Sequence, residues 1–122
     1  MEKPEYKYAE LPIISIVVPN FNNGATLGRA LQSLVDQKCP ALEIVVVDGG
    51  STDNSLEIIA EFKAHISWWV SEEDRGQAHA INKGLVHCHG EIINWLCGDD
   101  ELTPGVRPLH NLPKIIKKDR IV

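Results

Sequence analysis

Three short polar segments carry residues able to do chemistry on a charged ligand. Asp48-Gly49-Gly50-Ser51-Thr52-Asp53 places two carboxylates around a glycine pair, Glu72-Glu73-Asp74-Arg75-Gly76 places three acids beside one guanidinium, and Gly98-Asp99-Asp100 ends in adjacent aspartates. The aspartate pair is a hard oxygen donor set suited to Mg²⁺ or Mn²⁺. A diphosphate and carboxylates repel at close range unless a cation stands between them. The acidic segments therefore suit a metal-bridged diphosphate. A fourth segment, Pro19-Asn20-Phe21-Asn22, adds an aromatic ring and two amides. Each segment alone also has a plain structural account: a turn, a helix cap from Thr52 or Asp53, or a solvated loop.

The elements around these segments decide between the accounts. Ile13 to Val18 is a β-branched run that Pro19 is expected to stop. Leu27, Leu31, Leu34 and Val35 follow helical spacing within a helix over about 25–37, which Pro40 ends. Ile44 to Val47 is apolar without alternation, the mark of a strand buried on both faces. A second helix is expected over 54–64 with Leu56, Ile59 and Ala60 inward, then a strand over 66–70. A third helix over 77–87, with Ala78, Ile81 and Leu85 inward, leads to a strand over 91–96. The order β-α-β-α-β-α-β predicts an α/β fold, a mostly parallel sheet of about four strands flanked by helices. Open parallel sheets bind ligands at the carboxyl ends of their strands. All four polar segments follow predicted strands, so the topology brings them to one edge.

Composition narrows the function classes. The chain has 122 residues, 43% hydrophobic and 24% charged, with a net charge of -5. This is an ordinary globular balance for one domain. Sixteen of the 17 acidic residues precede Leu102, an arrangement unsuited to nucleic acid. Neither GxxxxGK[ST] nor GxGxxG occurs, which argues against a P-loop NTPase and a dinucleotide oxidoreductase. Cys39, Cys88 and Cys97 form no CxxC pair and read as reduced thiols of a cytoplasmic protein, with a position peripheral to the membrane left open. His87-Cys88-His89 does not suit a metal site, because i and i+2 on a helix point apart. Trp68, Trp69 and Trp95 read as core or sheet-face residues.

With these residues placed, a family resemblance emerges. SIVVPNFN from Ser15, EIVVVDGGSTDNS from Glu43, DRGQAHAINKG from Asp74 and GEIINWLCGDD from Gly90 resemble, in order and spacing, four signatures of family 2 glycosyltransferases. The resemblance implies the Rossmann-like, nucleotide-binding half of a GT-A fold. It also implies a UDP- or GDP-linked sugar donor with Mg²⁺ or Mn²⁺, and a glycan, lipid or protein acceptor, as in polysaccharide biosynthesis. It implies a hexosyltransferase that inverts. Carried over residue by residue, Pro19, Phe21 and Asn22 line the base and ribose pocket, and Asp48 hydrogen-bonds the base. Asp53 and Asp74 support the nucleoside or the helix ends around it. Arg75 approaches the diphosphate, Asp99 sits near the ribose and sugar, and Asp100 coordinates the metal.

The sequence departs from the family pattern in two places. Gly98 stands where the first aspartate of a D-x-D motif is expected. Family members also normally continue for at least about another hundred residues, which supply the acceptor pocket and a general base, and no base is visible here. The expected division is an N-terminal extension over 1–11, the nucleotide-sugar-binding domain over 12–105 and a basic, proline-interrupted tail over 106–122. The alternative to a transferase is a donor-binding module or truncated fragment, with an oligomer or partner supplying the missing half.

Overall fold

The computed structural model of the chain describes residues 13–99. Asp100, the N-terminal extension and the basic tail lie outside the described residues, and so do both expected domain boundaries.

Four strands, β1 (Ile14–Asn20), β2 (Leu42–Asp48), β3 (Trp68–Ser71) and β4 (Ile92–Trp95), form one sheet in the order β3-β2-β1-β4. Every pairing is parallel. Helices α1 (Gly24–Val35), α2 (Ser55–Glu61) and α3 (Gln77–Leu85) make the crossovers, with a 3₁₀ turn at Lys63–His65. The expected fold class is therefore the observed one.

Successive strand residues point to opposite faces of the sheet, and both faces are covered. Ile14, Ile16, Val18, Ile44 and Val46 pack on Leu27, Leu31 and Leu34 of α1 and Ile59 of α2. Val17, Val45, Val47 and Ile93 face the other way, onto Ala80 and Ile81 of α3 and onto Cys88. Helix α3 approaches the sheet closely because Gly84 has no side chain: a Cβ there would lie 2.8 Å from Val17 Cγ1.

Several local expectations change. Pro19 does not stop β1, which continues to Asn20. On the β4 side the ladder ends at Val17 with Trp95, so the N–H that proline lacks has no strand to meet, while its carbonyl still accepts from Gly98 N at 3.0 Å. Helix α2 ends early because Phe62 N is shared between the Ile58 and Ile59 carbonyls, which tightens the chain into the 3₁₀ turn. Its inward face is Ser55 and Ile59, with Ile58 half-buried, so Leu56 and Ala60 point outward. Helix α3 turns Ala80, Ile81 and Gly84 inward and leaves Ala78 exposed. Trp68 and Trp95 pack on the core, but Trp69, on the edge strand β3, is 41% exposed.

His87, Cys88 and His89 follow α3 and go to different partners. His87 stacks on Trp68, the Cys88 thiol meets the Gly84 carbonyl, and His89 pairs with Glu43. Cys39, Cys88 and Cys97 are all thiols, none in a disulfide. No described helix is long and apolar enough to cross a membrane.

Candidate functional site

The strand order reverses direction at β1. The chain winds outward through β2 and β3 by way of α1 and α2, then crosses the other face through α3 to place β4 beside β1. Loops leaving the carboxyl ends on either side of such a point splay apart and leave a crevice. A cleft of about 710 Å³ lies there. Its walls come from all four polar segments, including Pro19 near the end of β1 and Phe21 just after it, Gly49 after β2, Asp74 after β3 and Asp99 after β4.

Asp48 lies beneath this cleft and does not line it. It is fully buried at the end of β2. Its Oδ1 accepts from Asn20 Nδ2 at 2.8 Å and Ser51 Oγ at 2.6 Å. Its Oδ2 accepts from the backbone N–H of Gly50 at 3.1 Å and Ser51 at 2.8 Å, and from Ser71 Oγ at 2.8 Å. Burial pushes this carboxyl up, but the hydrogen bonds from Ser51, Asn20 and Ser71 together hold it below the usual aspartate value. Asp48 thus ties the ends of β1, β2 and β3 to one anion.

The other predicted residues divide between wall and scaffold. Phe21 is 57% exposed at the cleft and offers a ring face. Asn22 takes a positive φ of 53°, which an asparagine tolerates, and clamps two loops: its N–H donates to Ser51 Oγ, and its Oδ1 accepts from Thr52 N, both at 2.8 Å. Asp53 accepts from Gly24 N at 2.8 Å, capping α1 from another loop, and from Ser55 N at 2.9 Å. Hydrogen bonds from Ser55 and Gly24 hold its carboxyl below the usual value. Arg75 is exposed and is not among the lining residues; its N–H donates to His79 Nδ1 at 2.8 Å.

Asp74 lies over the β2 turn. A Cβ on Gly49 would sit 2.9 Å from its Oδ2, so only glycine at 49 leaves the carboxylate this place. Gly76 N donates to Asp74 Oδ1 at 3.0 Å. Sequence reasoning treated Gly49 and Gly50 as turn residues, whereas both line the cleft. It named Asn20 within its segment but gave it no role; the residue is 4% exposed. Because Asp48 is an acceptor, the Asn20 amide nitrogen must face it, which turns Oδ1 toward Gly98 without a hydrogen-bond partner. A side chain at 98 would collide with that oxygen, which gives the Gly98 departure a steric reason. Thr26 Oγ1 donates to the Gly98 carbonyl at 2.9 Å and ties this turn to α1.

The cleft's electrostatics are one-sided. Glu73, Asp74 and Asp99 line it, and no lysine or arginine does so among the described residues. The described residues hold no cluster of three metal-ligating side chains. A diphosphate here would meet carboxylates and no cationic side chain among the described lining residues, so the donor chemistry of Asp99 fits a divalent cation standing between them.

An open parallel sheet wound on both faces, with a cleft at its switch point, is the Rossmann-like architecture of GT-A proteins. The family model for glycosyl transferase family 2 matches residues 15–119, and the chain belongs to that family. It is 33% identical over 107 residues to an uncharacterized glycosyltransferase of Nostoc sp., covering 85% of this chain and 32% of the relative. It is 35% identical over 94 residues to the PGL/p-HBAD biosynthesis glycosyltransferase of Mycobacterium bovis, covering 75% of this chain and 37% of the relative. Among solved structures, the Pyrobaculum calidifontis mannosyltransferase PcManGT, in complex with GDP-Man and Mn²⁺, superposes with a TM-score of 0.73 at 32% identity, covering 85% of this chain and 32% of that one. S. aureus TarS in complex with UDP gives 0.64 at 29% identity, covering 72% and 28%. The chain thus spans about a third of the length of the curated relatives it matches.

Proposed function

We propose that this chain is the donor-binding half of a glycosyltransferase that takes a UDP- or GDP-linked hexose with Mg²⁺ or Mn²⁺ and passes the sugar, with inversion, to a glycan, lipid or protein acceptor. One observation carries the reading: a nucleotide-sized cleft at the switch point has an exposed aromatic ring, a carboxylate over a glycine turn and an acidic β4 end, without a lining cation among the described residues. The GDP-Man and Mn²⁺ of PcManGT and the UDP of TarS support it by similarity.

The roles follow from position. Pro19 and Phe21 form the wall against which a base stacks. Asp74 accepts an N–H of that base, because its carboxylate lies at the β2–β3 end of the cleft beside Gly49. Asn22, Asp48 and Asp53 act through the loops they fix. Asp99 faces the ribose and diphosphate, and Asp100 is proposed as the metal ligand. The cation, when bound, neutralises the diphosphate and stabilises it as a leaving group. Arg75 reaches the diphosphate only if its side chain swings in from the exposed loop. The acceptor hydroxyl is deprotonated by a general base from elsewhere in the protein or from a partner. The setting proposed is cytoplasmic.

Calorimetric titration of the full chain with UDP and with GDP, each with and without Mn²⁺, tests the reading. Binding that strengthens with Mn²⁺ and loses this dependence in Asp100→Ala is expected. No heat with any nucleoside diphosphate would sink it. Binding without sugar transfer would assign this chain the donor half alone.

A further inference from the structure

The loop from β3 to α3, residues 72–76, brings Glu73, Asp74 and Gly76 to the cleft. It rests on the β2 turn. A side chain on Gly49 would meet the Asp74 carboxylate, and one on Gly50, at φ 90°, would lie 3.4 Å from Glu73 N. Packing of this kind resists compression but does not stop the loop from lifting. Its ends are fixed by hydrogen bonds: Glu72 N to the Asp48 carbonyl at 2.9 Å, Arg75 N to His79 Nδ1, and Gly76 N to Asp74 Oδ1. The middle is held from α3. Lys83 Nζ lies 2.9 Å from Glu72 Oε2 and donates to the Glu73 carbonyl at 3.1 Å.

The helix explains why this position reaches the loop. Lys83 lies three residues after Ala80, which lines the cleft, so the two share a side of α3. Helical side chains lean toward the N-terminus, and that end of α3 is where the loop enters. The Lys83 side chain is only 18% exposed, against 57% for Glu72. A side chain covered along most of its stem, with two oxygen partners at its tip, is a strut. Lys83 itself does not line the cleft.

We infer that Lys83 is a positioning residue: its ion pair with Glu72 and its hydrogen bond to the Glu73 carbonyl pin the 72–76 loop on the Gly49–Gly50 turn and so set where the Asp74 carboxylate meets a nucleobase. The ligand half of this inference rests on the nucleotide reading given above; the strut itself does not.

The test is Lys83→Met, which keeps the aliphatic stem, made in the full chain. Amide hydrogen exchange at Arg75 and Gly76, without ligand, reads the strut. NMR titration with uridine and calorimetric titration with UDP and Mn²⁺ read its consequence. Faster exchange is expected, with uridine and UDP weakened alike by about tenfold, the scale of a charge-assisted hydrogen bond. Glu72→Gln should show part of the effect and add nothing to Lys83→Met, and Lys83→Arg should restore most of it. Unchanged exchange would remove the strut. Faster exchange with wild-type affinity would refute positioning. Loss of UDP binding with uridine unaffected would make Lys83 a phosphate contact instead. If the wild-type chain binds neither ligand, the nucleotide reading falls with the ligand half, and the exchange result alone decides the strut.

Discussion

Asparagine at position 48 separates two roles that the resemblance and the geometry assign differently to one residue. A base-contacting aspartate would lose affinity without losing fold. A buried anchor would lose stability before any ligand is added. The five hydrogen bonds accepted by Asp48 allow the cost to be worked out. If the new amide nitrogen replaces Oδ2, the Gly50 and Ser51 N–H groups face a donor, while the Ser71 hydroxyl can turn and accept. Two orphaned backbone donors cost about 2–6 kcal/mol. If it replaces Oδ1, the Asn20 amide can turn over and present its oxygen, and the Ser51 hydroxyl can rotate. The remaining loss is then the charge assistance on the two backbone bonds, roughly 1 kcal/mol each. The second arrangement is cheaper, so Asp48→Asn is expected to cost about 2–3 kcal/mol, a large share of the ~5–15 kcal/mol that holds a domain. Urea unfolding followed by tryptophan fluorescence, without ligand, measures it. The acid limb gives a second check. Asp48 is held below its usual pKa, so its contribution is present above the unfolded value of about 4 and fades as pH falls through the folded value. The gap between wild type and Asp48→Asn should therefore narrow from pH 6 toward pH 3. A stability change under ~0.5 kcal/mol together with abolished nucleotide binding would refute the anchor reasoning and restore the direct base contact.

Gly84→Ala would place a methyl 2.8 Å from Val17 Cγ1 and 3.1 Å from Val47 Cγ2, both on fully buried β-branched side chains. The overpacking should outweigh the helical preference for alanine and leave a net loss of about 1–2 kcal/mol by urea unfolding. Gly49→Ser should displace the Asp74 carboxylate and weaken UDP binding severalfold by calorimetry, with a thermal midpoint close to wild type. Glu43 joins Ser15 Oγ at 2.6 Å to His89 N at 2.7 Å and His89 Nδ1 at 2.6 Å, at the amino ends of β1 and β2. Burial raises its carboxyl, but hydrogen bonds from His89 and Ser15 bring it below the usual glutamate value. Its contribution is thus present at neutral pH and lost on acidification. Glu43→Gln should cost about 1–2 kcal/mol at pH 7 and leave UDP affinity unchanged, since the clasp lies at the opposite end of the sheet from the cleft.

The order of elements was legible because its signals are local and strong. An unbroken β-branched run such as Ile44–Val47, stopped by Asp48-Gly49-Gly50, suits a strand covered on both faces, and the parallel sheet then sends every strand-end segment to one edge. Rotation of the short helices was not legible. Leu56 and Ala78 belong to helical patterns of few apolar residues, and the inward stripe was decided by what the sheet offered: room for Ser55 and Ile59 on one face, and close approach at Gly84 on the other. Pro19 misled for a similar reason. Its missing donor matters only if a neighbouring strand faces it, and the short β4 ends before it does. At the site, residue types were readable and orientations were not. Nothing in DGGSTD distinguishes an aspartate aimed at a ligand from one aimed at its own turn, and the five donors around Asp48 come from segments as distant as Asn20 and Ser71.

The burial of Asp48 bears on which carboxylates face the cleft. With Asp48 committed to the scaffold, and with Asn22 and Asp53 spent on joining loops, the carboxylates left at the cleft are Glu73, Asp74 and Asp99 among the described residues. Two of these ride on the β3–α3 loop and one on the β4 turn, at opposite ends of the strand order. The β4 turn is tied to the sheet through Gly98 N to the Pro19 carbonyl and to α1 through Thr26. The β3–α3 loop has its middle fixed by a single lysine. A ligand spanning both ends therefore meets one wall tied by neutral hydrogen bonds and another whose middle is held by an ion pair. Salt should loosen the second and spare the first, because screening acts on the partly exposed Glu72–Lys83 pair and not on the neutral hydrogen bonds of Gly98 and Thr26.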